Sequence, residues 1–240
     1  MAATRGAFQA KTVIDLIIFD CDGVLVDSEI LAAQVLSETL ESAGLSMPVE
    51  TALSAFVGLD ARATRSKLET MHAVPMPADF EKSLALRLDE AFERRLKPIE
   101  GIVDLLRSLD CLYCVASNSG HDRLRTSFAA TGLSPLVAGR VFSADDVAQG
   151  KPAPDLFLHA ARAMGRISPE RCLVIEDSIT GVIAARAAGM RVIGFCGASH
   201  IRPGHDQRLL ALGAERICTA HHQIAARPWL SAGGLALDPV

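Results

Sequence analysis

Asp20 and Asp22 are two carboxylates two residues apart, placed just where an apolar run stops. The run before them, Val13-Ile14-Asp15-Leu16-Ile17-Ile18, is rich in β-branched residues and reads as a buried strand. Gly23 follows the acids and lets the backbone turn. Such a pair could supply a nucleophile that also binds magnesium and a general acid/base beside it. Strand-end acids are also common turn formers and helix caps, and that reading stands beside the chemical one. An EF-hand calcium loop would need a third oxygen ligand and then a glycine, but Val24 and Leu25 stand there.

Three more motifs have the types and placement to share a site. Ser117-Asn118-Ser119-Gly120 follows Leu112-Tyr113-Cys114-Val115-Ala116, so hydroxyl, amide and backbone N–H groups gather where a phosphate oxygen could bind. The same residues cap ordinary helices. Gly150-Lys151-Pro152-x-Pro154-Asp155 presents a lysine on a backbone stiffened by proline, which suits a transferring phosphoryl group. Its plainer reading is prolines starting a helix. Glu176-Asp177-Ser178 follows the apolar Cys172-Leu173-Val174-Ile175. Adjacent acids repel unless a cation lies among them, and magnesium prefers a few carboxylates with water and phosphate oxygen. The alternative is a helix cap at Asp177 with Glu176 in solvent.

The elements that must position these motifs alternate. Strands are expected at 112–116, 140–142, 172–175, 191–195 and 215–217, separated by helices at 102–109, 124–131, 155–164, 179–188 and 205–212. This order argues for an α/β fold with a doubly wound, Rossmann-like parallel sheet. Ligands of such sheets bind beyond the carboxyl ends of the strands, so all four motifs fall on one edge. Between Ser28 and Lys97 no strand pattern occurs. Helical segments are expected from Ser28 to Gly44, near Val49–Phe56, at Ala61–Met71 and at Asp79–Leu96, with Pro75, Pro77 and Pro98 as breaks. The expected division is a core of residues 1–27 and 98–240 with an all-helical cap of 28–97, hinged near Asp27 and Pro98.

Composition excludes several classes. The chain has 240 residues, 24 basic and 28 acidic, for a net charge of −4, without the clustered positive charge of a nucleic-acid surface. No apolar run approaches the roughly 18 residues of a membrane span. Met1 to Lys11 lacks the apolar core of a signal peptide and reads as a short loose tail. The six cysteines are scattered and read as reduced structural thiols of a cytoplasmic protein. Cys111 and Cys114 have redox-motif spacing, but an extended strand points them to opposite faces. His200, His205, His221 and His222 lie in irregular C-terminal segments without matching carboxylates and are expected at the surface. A monomer is expected, with a dimer as the alternative.

Taken together, Asp20-x-Asp22-Gly23-x-x-x-Asp27, Ser117-Asn118, Lys151-Pro152 and Glu176-Asp177-Ser178-x-x-Gly181 resemble the haloacid dehalogenase superfamily, in its order and across most of the core. The branch of β-phosphoglucomutase-like proteins and sugar phosphatases is the most similar. The resemblance implies a magnesium-dependent phosphatase of small phosphorylated metabolites, sugar or sugar-acid phosphates above all. Asp20 would form an aspartyl-phosphate. Asp22 would protonate the leaving oxygen, deprotonate the attacking water and offer its carbonyl to Mg2+. Ser117, Asn118 and Lys151 would hold phosphoryl oxygens, and Asp20, Glu176 and Asp177 would complete the metal site. Dehalogenases of the superfamily do not use the second aspartate, and phosphonate-cleaving relatives lack it, so Asp22 favours phosphate esters. Mutases usually carry a histidine twelve positions after the nucleophile, where this chain has Ala32. The run Asp20 to Glu29 and Gly194-Phe195-Cys196 look more like phosphatases, including those acting on 6-phosphogluconate. A sugar-phosphate mutase is the alternative, and a non-catalytic phosphometabolite-binding protein the third reading. Phe56-Val57-Gly58-Leu59 resembles a substrate-specificity loop; Gly58 and Arg62 are the expected substrate contacts, with Arg65 and Lys67 as further cations.

Overall fold

A computed structural model describes residues 13–57, 59 and 61–225. Its centre is a six-stranded parallel sheet built from β1 (Leu16–Phe19), β2 (Leu112–Ser117), β3 (Val141–Ser143), β4 (Cys172–Glu176), β5 (Arg191–Phe195) and β6 (Ile217–Cys218). The spatial order is β3-β2-β1-β4-β5-β6. β1 therefore lies between β2 and β4, with Phe19 level with Val115 on one side and Ile175 on the other. That is the point where the strand order reverses, and the crevice of a doubly wound sheet opens there.

The strands are buried on both faces, as parallel sheets with helices on each side must be. Side chains alternate between two cores. Ile17, Phe19, Val115, Leu173 and Ile175 share one cluster, whereas Leu16, Ile18, Cys114, Ala116 and Val174 share the other. The second is closed by α8 (Asp155–Ala163) and α9 (Ile179–Ala187), with α10 (His205–Ala211) contributing Leu209. The first runs on into the four helices of the insert that follows β1: α1 (Ser28–Ser42), α2 (Val49–Phe56), α3 (Ala61–His72) and α4 (Phe80–Arg95). After them come α5 (Ile102–Ser108), α6 (His121–Ala130) and α7 (Ser134–Val137), and α11 (His222–Ala225) follows β6.

The helical insert leaves and rejoins the core by two paired segments. Val26 bridges Pro98 in antiparallel register, Asp27 N–H donates to Lys97 O, and Ile99 N–H donates to Leu25 O. α1 packs on α2 and α4, α3 packs on α4, and α4 also lies against α6 of the core. There the Arg123 guanidinium sits 4.0 Å from the centre of the buried Phe92 ring.

Boundaries differ from the expected ones by small amounts. The first strand starts at Leu16 rather than Val13, because pairing with β2 and β4 starts only there. β2 and β4 extend one residue further, so Ser117 and Glu176 are strand residues. The last strand is Ile217–Cys218, not 215–217. The short helices α7 and α11 have too few residues to show a period and were not expected.

Candidate active site

The C-terminal ends of β1, β2 and β4 deliver Asp20, Ser117 and Glu176 to one edge, and the loops beyond them add Asp22, Asn118 and Asp177. One oxygen from each of Asp20, Glu176 and Asp177 lies within 4.8 Å of the others, and all three residues are buried. Lys151 is the cation among them. Its Nζ donates to Asp20 Oδ1 at 2.6 Å and to Glu176 Oε1 at 2.7 Å, with the lysine side chain 3% exposed. Burial works to lower the Lys151 pKa, but the two carboxylates overcome it and leave the ammonium held above its ordinary value. Asp20 is pushed well above the usual carboxylate range by burial, opposed by Lys151 and reinforced by Glu176, Asp177 and Asp22. Asp177 is raised likewise, by burial first and then by Glu176 and Glu29.

Local sequence explains how each acid is held. Glu176 is not in solvent; it is fully buried, and Oε2 accepts from the Ser178 N–H at 2.8 Å and hydroxyl at 2.9 Å. Ser178, rather than Asp177, is the N-cap of α9, accepting from Gly181 N–H at 2.9 Å. A Cβ at Gly181 would stand 1.7 Å from Glu176 Oε1, so only glycine leaves room for that carboxylate. Gly23, at φ +79°, does the same for Asp177, whose Oδ2 would be 1.9 Å from a Cβ there.

Asp22 turns away from the acid cluster. Its Oδ1 accepts from Ser28 at 2.6 Å, and its Oδ2 accepts from Ser119 at 2.8 Å and weakly from Ser117 at 3.5 Å. Ser28 is the first residue of α1, so this carboxyl is tied to the insert. Asn118 uses its carboxamide on the backbone of Lys151: Nδ2 donates to Lys151 O at 2.9 Å and Oδ1 accepts from Lys151 N–H at 2.8 Å. Gly150 permits that approach, since a Cβ would lie 2.6 Å from Asn118 Oδ1. The lysine is thus set by an amide clamp as well as by Pro152.

Two buried atoms lack a partner at this edge: Asp177 Oδ1 and His200 Nδ1. The histidines correct the sequence expectation. His200 is half-buried, its side chain 9% exposed and Nε2 3.1 Å from Asp177 Oδ2, and His205 Nε2 lies 2.5 Å from Asp177 O. His221 is 1% exposed, stacks on Phe195 with ring centres 4.5 Å apart, and bonds the carbonyls of Glu100 and Val24. Burial pulls the pKa of both His200 and His221 below the ordinary imidazole value. Of the four only His222 is exposed. His222 is exposed as expected; His200 and His205 were misjudged because β5 ends at Phe195, which places the following segment on the same edge as the acids, and His221 follows β6. The rule that selected the acids would have selected His200 too.

The insert gives two different outcomes. Arg62 is exposed at the start of α3, while Arg65 is engaged by Glu69 and Met76 O, and Lys67 by Ala55 O and the Phe56 ring. Gly58 lies outside the described residues. Within the insert a cavity of about 90 Å³ is lined mainly by apolar groups, among them Ala32, Leu36, Phe56 and Leu84, with Glu29 and Thr64 at its wall. A larger cavity of about 730 Å³ opens beside the paired connections, against Lys97, Glu100 and Phe195. Its lining holds none of the clustered acids, so size does not mark the chemistry. The sulfur atoms take no part: the six cysteines are free, and burial raises Cys21, nearest the site.

Four separated motifs thus converge on one buried, lysine-bridged acid cluster, and residues 14–189 match the haloacid dehalogenase-like hydrolase family. The chain belongs to the haloacid dehalogenase-like hydrolases. It is 30% identical over 192 residues to the 6-phosphogluconate phosphatase of Escherichia coli (strain K12), covering 79% of this chain and 86% of that protein. Among solved structures, a conserved haloacid dehalogenase-like protein of unknown function from Agrobacterium tumefaciens superposes with a TM-score of 0.81 at 43% identity, covering 89% of this chain and 96% of that one. A haloacid dehalogenase family hydrolase from Deinococcus radiodurans, with bound phosphate and sodium, gives 0.80 at 36% identity over 89% and 94%. Among the described residues no helix is long and apolar enough to cross a membrane.

Proposed function

We propose that this enzyme hydrolyses small phosphate monoesters through a phosphoryl group carried on Asp20, with Mg2+ as cofactor and sugar or sugar-acid phosphates as substrates. The observation that carries the reading is the charge balance of the buried cluster. Three carboxylates gather beside one ammonium, which bonds only Asp20 and Glu176, and Asp177 Oδ1 has no partner. A buried charge is tolerated when paired, so the excess asks for a second cation. A hard cation with oxygen ligands fits this donor set. Asp20, Glu176, Asp177 and the Asp22 carbonyl would hold it, and it would supply charge stabilisation at the phosphoryl oxygens.

The protein's own groups divide the remaining work. Asp20 attacks phosphorus and the ester oxygen leaves, taking a proton from the Asp22 carboxyl. The phosphoryl group then sits on Asp20, where Lys151, Ser117 and Asn118 would hold its oxygens. Asp22, now a base, takes a proton from water, and hydroxide displaces Asp20 to release phosphate. Ser28 and Ser119 hold the Asp22 carboxyl before it turns to this task. Residues 28–97 act as the cap that excludes water and meets the substrate, with Gly58 and Arg62 as contacts. The substrate class rests on the name of the Escherichia coli relative.

The test is release of inorganic phosphate from a panel of phosphorylated metabolites. Asp20→Asn should lower turnover by about 10⁴-fold or more while leaving the fold intact; full activity in that variant would sink the proposal. Conversion of a sugar phosphate into its isomer without phosphate release would favour a mutase, a reading that Ala32 at the wall of the insert's cavity opposes.

A further inference from the structure

The segment from the end of β5 to the first residue of α10 meets Asp177 at two places and Asp27 at a third. His200 Nε2 stands 3.1 Å from Asp177 Oδ2, a close imidazole–carboxylate contact. His205, at the start of α10, bonds Asp177 O from its own Nε2 at 2.5 Å. Between β5 and these rings, Ser199 donates to Asp27 through both its N–H, at 3.2 Å, and its hydroxyl. Four polar contacts from three residues thus fix this short segment to Asp177 and Asp27. Asp177 and the His200 side chain are both nearly inaccessible to solvent.

The contacts to Asp177 differ from those to its neighbours. Glu176 is set by Lys151 and Ser178, and Asp20 by Lys151. Asp177 has neither cation nor serine on its carboxylate. The Oδ2 side is filled by His200 and by the bare Gly23, whose missing Cβ would also lie 2.9 Å from His200 Cε1. Oδ1 is left buried and unpartnered. The side chain is therefore pinned on one oxygen and offered on the other.

We propose that His200 and His205 are positioning residues for the metal ligand Asp177, His200 orienting its carboxylate so that Oδ1 faces the cation and His205 fixing its backbone. This rests on the magnesium reading given above. Outer partners of metal ligands fix ligand orientation, and removing one typically costs about 10–100-fold in metal affinity. Neither imidazole touches the reacting phosphoryl group in this assignment, so their effect is on metal occupancy rather than on the chemical step.

The experiment is calorimetric titration of Mg2+ into the metal-free full-length protein, wild type and variants, with melting temperatures in EDTA and in saturating Mg2+. His200→Ala should raise the Mg2+ dissociation constant about 10–100-fold. His200→Gln, whose amide can donate from near the Nε2 position, should recover most of the loss. His205→Ala should weaken binding as well. The Mg2+-induced rise in melting temperature should shrink with affinity, beyond any change in EDTA, which a merely structural role would not produce. Equal Mg2+ affinity in wild type and His200→Ala overturns the inference, as does a His200→Gln protein no better than His200→Ala. A wild-type protein that takes up no Mg2+ overturns the reading beneath it.

Discussion

Lys151 is the residue on which the cluster's electrostatics turn. Lys151→Met keeps much of the stem but leaves Asp20 and Glu176 buried without their cation. Breaking one partner of a buried pair typically costs about 3–5 kcal/mol. Chemical denaturation in EDTA should show a loss of that order, and Mg2+ should return part of it. An unchanged midpoint would mean that the acids are already neutralised by protons. At this scale the sequence was legible in which residues come together: Asp20 and Asp177 follow the ends of β1 and β4, and Lys151 joins the cluster. It was not legible where a partner comes from far along the chain. Nothing in Asn118 indicates that its amide clamps Lys151, and nothing near Ser199 points to Asp27. His200 and His205 carry no periodic pattern, and only the fold brings them to Asp177.

Among the elements, the junction of β4 and α9 is the most tightly specified. Strand, buried glutamate, serine cap and glycine succeed one another within six residues, and each explains the next. Gly181→Ala tests it. The added methyl would occupy the place of the Glu176 carboxylate, and over-packing of that kind costs about 1–3 kcal/mol. Denaturation should record this loss, and Mg2+ titration should show weaker binding because Glu176 must move. Loss of stability with unchanged metal affinity would separate the glycine from the site. The strand and helix order was readable because parallel strands are apolar runs and helices carry a 3.6-residue period. Start and end points were less so, since they depend on pairing; β1 begins where its neighbours do. The very short α7 and α11 left no pattern to find.

For the molecule as a whole, acid cluster and metal binding should be linked through pH. Burial raises Asp20 and Asp177 above the ordinary 3.8. Native protein then holds protons that the unfolded chain has released, so these two carboxyls favour folding below 3.8 and lose that contribution as pH rises through their folded values. Mg2+ needs them ionised, so its affinity grows over the same range. The rise in melting temperature on adding Mg2+ should be larger at about pH 8 than at about pH 5.5; a pH-independent rise would contradict the link. The insert adds a separate consequence. Val26 and Pro98 pair antiparallel where the chain leaves and returns, and antiparallel neighbours are the kind a tight two-residue turn can join. In connectivity the four-helix unit is therefore the tip of a hairpin. Lengthening such a tip costs little, about 0.6 kcal/mol of closure entropy per doubling. An ancestral or engineered gene could shorten, enlarge or replace it without rethreading a single strand; under the cap role proposed above, that would make substrate choice an exchangeable part and leave the reaction as the fixed chassis.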